Sequence, residues 1–161
     1  MNTGNRPGEA APRSPDVAVQ PVVLVLVEDT IGSLATLLLA AEIAANQHGR
    51  LHVAHVSAPR TWWGGASGMA APVALFAEAD REAADELRDK AGDVLALGPP
   101  VAWTFTWTRG MVHQTVARLV AELSPAAVVI GVPHRPRLLM HRSVARWLIG
   151  RPNVRAVVVP A

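Results

Sequence analysis

Hydrophobic positions along this chain follow two alternating periods. Val22 to Val27 is a run of six aliphatic residues, mostly β-branched. A continuous run of that length suits a strand covered on both faces, as in a parallel sheet. It stops at Glu28-Asp29-Thr30. From Ser33 to Gln47, residues Leu34, Leu37, Leu38, Ala41, Ala44 and Ala45 recur at helical spacing. His48-Gly49 then closes the helix, with Gly49 expected in the left-handed conformation. Leu51 to Val56 reads as a second strand, and Ser57 to Val73 as a loop rich in Gly and Pro around Trp62-Trp63. Phe76 to Leu95 is a helix with Phe76, Ala79, Ala83, Leu87, Ala91 and Val94 as its apolar stripe. After the break at Gly98-Pro99-Pro100, Val101 to Trp107 alternates with period two, so Val101, Trp103, Phe105 and Trp107 share one face. His113 to Leu123 reads as a helix ended by Ser124-Pro125, and Ala127 to Ile130 as a fourth strand ending at Gly131. Ser143 is expected to cap a short helix through Ile149, and Val154 to Val159 is the last strand.

The resulting order is β-α-β-α-β-α-β-α-β. Such alternation implies right-handed crossovers and a mainly parallel sheet between helix layers. Ligands of such sheets bind beyond the carboxyl ends of the strands, at the switch point. That directs attention to Glu28, Asp29, Thr30, Ser57, Thr108 to Gly110, and Gly131 onward. The chain has 161 residues, which suits one domain. A flexible tail is expected over residues 1–20, rich in Pro, Gly and Asn, and the domain over 21–161.

Composition narrows the chemistry. Cys is absent, which removes disulfides, thiolate metal sites and a Cys nucleophile. The uncharged stretch from Thr30 to Ala41 is twelve residues, short of the roughly 20 a membrane-spanning helix needs. The first twenty residues have no apolar core of the kind a secretory signal carries, and a cytoplasmic location is expected. Net charge is only +2 but unevenly placed. Residues 109–161 carry eight Arg and one carboxylate, Glu122, whereas residues 1–108 carry seven basic and twelve acidic groups. The C-terminal third is an arginine-rich surface on a mildly acidic body.

Several motifs are missing. No G-x-G-x-x-G follows the first strand, and G-x-x-x-x-G-K-[ST], H-E-x-x-H and G-x-S-x-G do not occur. Glu28-Asp29 resembles the acidic pair of a receiver domain, but the third strand ends in Thr108-Arg109 and the one Lys, Lys90, falls on the second helix, so that reading fails. His52 and His55 lie three apart on a strand and point to opposite faces, as packed or surface histidines do.

An ordered set of segments carries a family resemblance. Val27-Glu28-Asp29-Thr30-Ile31-Gly32-Ser33 is similar to the V-D-G-S-x-x-S start of the universal stress protein family. Leu51 to Val56 resembles that family's second strand. Gly110, an amphipathic helix and Ala127-Val-Val-Ile-Gly131 resemble its G-x-P, helix and D-L-I-V-M-G segment. Ser143-Val-Ala-Arg-Trp-Leu and Ala156 to Val159 resemble its last helix and strand. The resemblance implies a three-layer, Rossmann-like α/β fold with a five-stranded, mainly parallel sheet in the order 3-2-1-4-5. It also implies a homodimer formed through strand 154–159.

ATP-binding members of that family carry G-x-x-G, nine residues, then G-[ST], whose glycines let backbone approach the triphosphate. Here Gly131 matches the first Gly, His134 stands at the second, Arg142 at the third, and Ser143 at the closing Ser, with a loop two residues short. Glu28 replaces the Asp that contacts the nucleoside. Weak or no ATP binding is therefore expected. From His134 to Arg155 there are six Arg, two His and no acid. Arg135, Arg137 and Arg142, with Ser143 and Val144 at the helix start, form a candidate site for ATP or a phosphate anion built from side chains. The expected function is a small regulatory binding protein of universal stress type rather than a catalyst, with no metal. A slow ATP-hydrolysing switch and a basic adaptor for an acidic protein partner are the alternatives. No basic stripe interleaved with aromatics supports a nucleic-acid partner.

Overall fold

The computed structural model describes residues 20–57, 73–132 and 139–160. Its elements are β1 (Val22–Leu26), α1 (Ile31–Asn46), β2 (Arg50–Ser57), α2 (Val73–Leu95), β3 (Trp103–Arg109), α3 (Val112–Leu123), β4 (Ala127–Val132), α4 (Leu139–Ile149) and β5 (Ala156–Pro160). All five strands are parallel and lie in the order β3-β2-β1-β4-β5. The expected tail lies almost wholly outside the described residues, as does the loop around Trp62-Trp63.

Strand alternation explains how both faces of the sheet are filled. Val53 pairs with Phe105 and Val25, Val25 with Val129, and Val129 with Val157. That row faces α1 and α2, where Leu37, Ala40, Ala41, Ala44, Leu87 and Ala91 close the core. One residue along, Ala54, Leu26 and Ile130 are register partners on the opposite face. They pack with Val116 and Leu119 of α3 and Val144 and Leu148 of α4. Every residue of β1 is buried, which accounts for its unbroken aliphatic run. Each fully buried Leu or Val contributes about 1.5–3 kcal/mol relative to an exposed one.

Several details depart from the pattern-based reading. The buried stripe of α2 is Asp80, Ala84, Leu87, Ala91 and Leu95, while Ala79 and Ala83 are exposed. The side chain of Phe76 lies outside the described residues. The stripe is rotated because Asp80 is drawn onto the buried face by Arg109 at the end of β3, 2.8 Å away. At the end of α1 the left-handed residue is His48, with φ 50°, rather than Gly49. Gly49 is needed for another reason: a Cβ there would run into the carbonyl oxygen of Pro21. β3 starts and ends two residues late, since Thr108 and Arg109 find register partners in Val56 and Ser57. β5 is likewise shifted, to Ala156–Pro160. Finally, α4 starts at Leu139, four residues before Ser143. Ser143 is therefore inside the helix and does not cap it.

Candidate functional site

Adjacent strands leave the sheet in opposite directions of connection at β1 and β4, so the crevice beyond their carboxyl ends is the switch point. Leu26 pairs with Ile130, which sets Glu28 and Gly131 close together at that edge. The turn after β1 is built by its own hydroxyls. Thr30 caps α1, its Oγ1 accepting from the Ser33 N–H at 3.2 Å. Ser33 Oγ in turn accepts from the Glu28 N–H at 2.7 Å. These two bonds satisfy donors that a helix entry would otherwise leave free. Glu28 is half-buried, and Asp29 turns outward to Lys90 of α2, whose Nζ donates to both carboxylate oxygens at 2.9 and 3.0 Å.

The other candidate residues fall into three groups. His134, Arg135 and Arg137 lie outside the described residues. Arg142 occupies the first turn of α4, which contains no acid. Ser143 is exposed, and its Oγ lies 2.9 Å from His113 Nε2 on α3. His113 also meets Trp147 edge-on, with ring centroids 6.1 Å apart. Val144 is fully buried in the α3/α4 core, so its side chain packs rather than faces a ligand.

Two observations bear on a nucleotide. An α-helix leaves about four N–H groups free at its start. In a helix beginning at Leu139 the N–H of Ser143 lies past that turn, so the Arg142-Ser143 pair does not offer the open backbone of a Gly-Ser turn. Among the described residues, the cavity at the carboxyl ends of β1 and β2 is only about 10 Å³, lined by Leu26, Val27, Glu28, Ala54, Val56 and Val112. That volume holds at most about one water molecule. A larger concavity of about 550 Å³ lies between the end of α3 and the α4–β5 turn, lined by residues including Val120, Pro125, Arg151 and Asn153. It opens at the amino ends of β4 and β5, the opposite end from ligand sites in parallel sheets.

A polar chain crosses the same carboxyl edge on the α1/α2 side. His55 Nδ1 lies 2.9 Å from the Val27 carbonyl oxygen. Ser57 Oγ is 3.3 Å from His55 Nε2 and accepts from Trp107 Nε1 at 2.9 Å. Beside it, Arg109 Nη2 reaches Asp80 Oδ2 at 2.8 Å, with the two side chains 30% and 8% exposed. The sequence pattern reads His55 as a packed or surface histidine and Ser57 as the start of a loop at the ligand-binding strand edge. Their i,i+2 spacing at a strand end, which puts both on one face, was the available signal. His52, on the opposite face, has its Nδ1 2.9 Å from Thr104 Oγ1. Burial, and secondarily the Arg50 charge, lower its pKa below the ordinary imidazole value of 6.5. Among the described residues no three His, Asp or Glu side chains gather as a metal site requires, and no helix is long and apolar enough to cross a membrane.

Comparisons with known proteins agree with this geometry. The family model described as the universal stress protein family matches residues 21–160. A search of curated proteins finds no match. Among solved structures, one from the universal stress protein family of Burkholderia pseudomallei has a TM-score of 0.67 at 18% identity, covering 89% of this chain and 98% of its own. A universal stress protein in complex with cAMP has a TM-score of 0.57 at 19% identity, covering 89% and 98%. A third, from Archaeoglobus fulgidus in complex with dAMP, has a TM-score of 0.55 at 16% identity, covering 87% and 97%. Identities this low establish a shared fold, and it is the family model spanning nearly the whole chain that assigns the protein: it belongs to the universal stress protein family.

Proposed function

We propose that this protein is a regulatory binding member of its family that takes a phosphate-type anion weakly, and ATP weakly or not at all. The observation that carries the reading is the span of α4. Because the helix starts at Leu139, its free N–H groups belong to the first residues of α4, the element that follows β4 in the chain. Arg142 belongs to that first turn, which contains no acidic residue. A cation at the positive end of a helix is unfavourable by about 0.3–1 kcal/mol, and an anion relieves it. Arg135 and Arg137 add two more positive charges to the sequence just before α4. Two relatives were solved with cAMP and dAMP, and the phosphate of such a nucleotide is the group this site suits. The small cavity at the ends of β1 and β2 speaks against tight adenine binding.

A homodimer through strand 154–159 belongs to the same reading. β5 is a sheet edge, and Val158 is 38% exposed on it. An aliphatic edge left open is an association hazard, which pairing with a second copy removes.

Thermal melts in rising phosphate, at constant ionic strength set by chloride, test the anion site. The wild type gains midpoint by linkage. Arg142→Ala loses most of that gain and, at low salt, is itself slightly more stable because the opposing charge is gone. Arg155→Ala, beyond α4, responds like the wild type. Equal gains in the wild type and Arg142→Ala would overturn the site and leave the arginines as a surface for an acidic partner.

A further inference from the structure

We propose that Ser57 and His55 form a nucleophile–base pair that accepts an acyl group from small activated esters. The tautomer follows from the hydrogen bonds. A backbone carbonyl only accepts, so the 2.9 Å contact between His55 Nδ1 and the Val27 oxygen places the proton of the neutral ring on Nδ1. Nε2 then presents a lone pair. Ser57 Oγ, 3.3 Å away, donates its hydroxyl proton to it. The indole N–H of Trp107 is donor only, and it occupies one lone pair of the same Oγ at 2.9 Å. The hydroxyl proton is thus aimed at a base, and the second oxygen lone pair is left to attack. A fixed acceptor orienting the ring, and a ring orienting the hydroxyl, is the arrangement that activates a serine. The distance is slightly long, as such contacts are before substrate tightens them.

The surroundings suit the chemistry. Ser57 ends β2 on the carboxyl edge of the sheet, where folds of this kind meet ligands. Both residues are half-buried, which strengthens the pair electrostatically without sealing it. The Ser57 backbone is held by Gly110, whose N–H donates to the Ser57 carbonyl at 3.1 Å. Arg109 is the register partner of Ser57 and shares its face. Its Nη2 is held by Asp80, while its Nε is buried and finds no hydrogen-bond partner among the described residues. Tying β2 to β1 needs only His55 and the Val27 carbonyl, so that role leaves the Ser57 and Trp107 bonds unexplained.

The step balances without a co-reactant. Ser57 Oγ bonds to the ester carbonyl carbon as its proton passes to His55 Nε2. The tetrahedral oxyanion collapses and breaks the bond to the leaving oxygen, which takes the proton from Nε2 and departs as the alcohol. The product is O-acyl Ser57, with no change in oxidation state. This inference stands apart from the anion site, and either survives failure of the other.

The test is acylation of the full chain by p-nitrophenyl acetate. The expected result is a release of p-nitrophenolate of about one equivalent, with a single acetyl group mapped to Ser57 by mass spectrometry. Ser57→Ala abolishes it. His55→Gln, which keeps a donor for the Val27 carbonyl, slows it by about 10²-fold or more, the usual share of a general base. A second readout needs no variant: in the wild type Ser57 acylates at least about 10²-fold faster than Ser124, an ordinary exposed hydroxyl of the same molecule. Labelling elsewhere, labelling of Ser57 no faster than Ser124, or an equal rate in folded His55→Gln would overturn the proposal and leave the contacts as structural hydrogen bonds.

Discussion

At Gly49 a single added methyl group should be costly for its size. The residue begins the return from α1 to β2, directly beneath the start of β1. A Cβ at 49 would run into the Pro21 carbonyl oxygen, with Pro21 Cγ at 3.1 Å and the Pro21 carbonyl carbon at 3.2 Å. The obstacle is backbone, so no rotamer change relieves it. The same oxygen accepts the Arg50 N–H at 2.9 Å, so moving it aside strains the first rung between β1 and β2. Overpacking of this kind costs about 1–3 kcal/mol, and a weakened backbone hydrogen bond about 1 kcal/mol. Replacing Gly by Ala returns about 0.4–1 kcal/mol through the unfolded chain. The net expectation for Gly49→Ala is a loss of about 2 kcal/mol, or about 4–8 °C in Tm for a chain of this length. Gly150→Ala is the control. Its Cβ would meet nothing closer than 3.7 Å, and the change should stay within about 0.5 kcal/mol. Urea and thermal melts of both variants decide the matter. A midpoint for Gly49→Ala at or above the wild type would refute the close-approach argument.

Other expectations follow from the same contacts. Asp80→Asn should cost about 1–3 kcal/mol in urea melts, since it removes the carboxylate held against Arg109. Asp29→Asn should cost no more than about 1 kcal/mol, because its pair with Lys90 is 46% and 63% exposed. His52, with its pKa lowered in the folded state, binds protons more readily when unfolded. Its contribution to stability is therefore present above the ordinary value of 6.5 and is lost as pH falls through that value toward the folded pKa. His52→Gln should lose less stability than the wild type between neutral pH and pH 5, a difference read from paired melts. Val158→Lys, placing charge on the β5 edge, should convert the proposed dimer to monomer in light scattering at tens of micromolar, and an unchanged mass would count against that interface.

Sequence pattern exposed the sheet well because β1 and β4 are buried on both faces, and an unbroken aliphatic run has few other uses. It misplaced features governed by distant partners. The rotated stripe of α2 depends on Arg109, far along the chain from Asp80. His48 takes the left-handed turn while Gly49 passes close to Pro21, a contact that no local rule contains. Ser143 is the nearest residue of capping type, but α4 starts at Leu139, and Leu138 before it is not of that type. The strand-end positions of Glu28 and Gly131 are legible because strand ends are. The Ser143–His113 contact and the His55–Ser57–Trp107 chain were not, since each joins separate elements.

The central claim is that side chains have replaced the open backbone of a tight ATP site. Titration calorimetry of the purified full chain with MgATP tests it most directly. The account predicts binding weaker than about 1 μM, corresponding to less than about 8 kcal/mol, with inorganic phosphate competing for the same site. Sub-micromolar ATP binding would contradict it, because a helix through Arg142-Ser143 and a cavity of about 10 Å³ beside Glu28 could not then be the arrangement that meets the nucleotide.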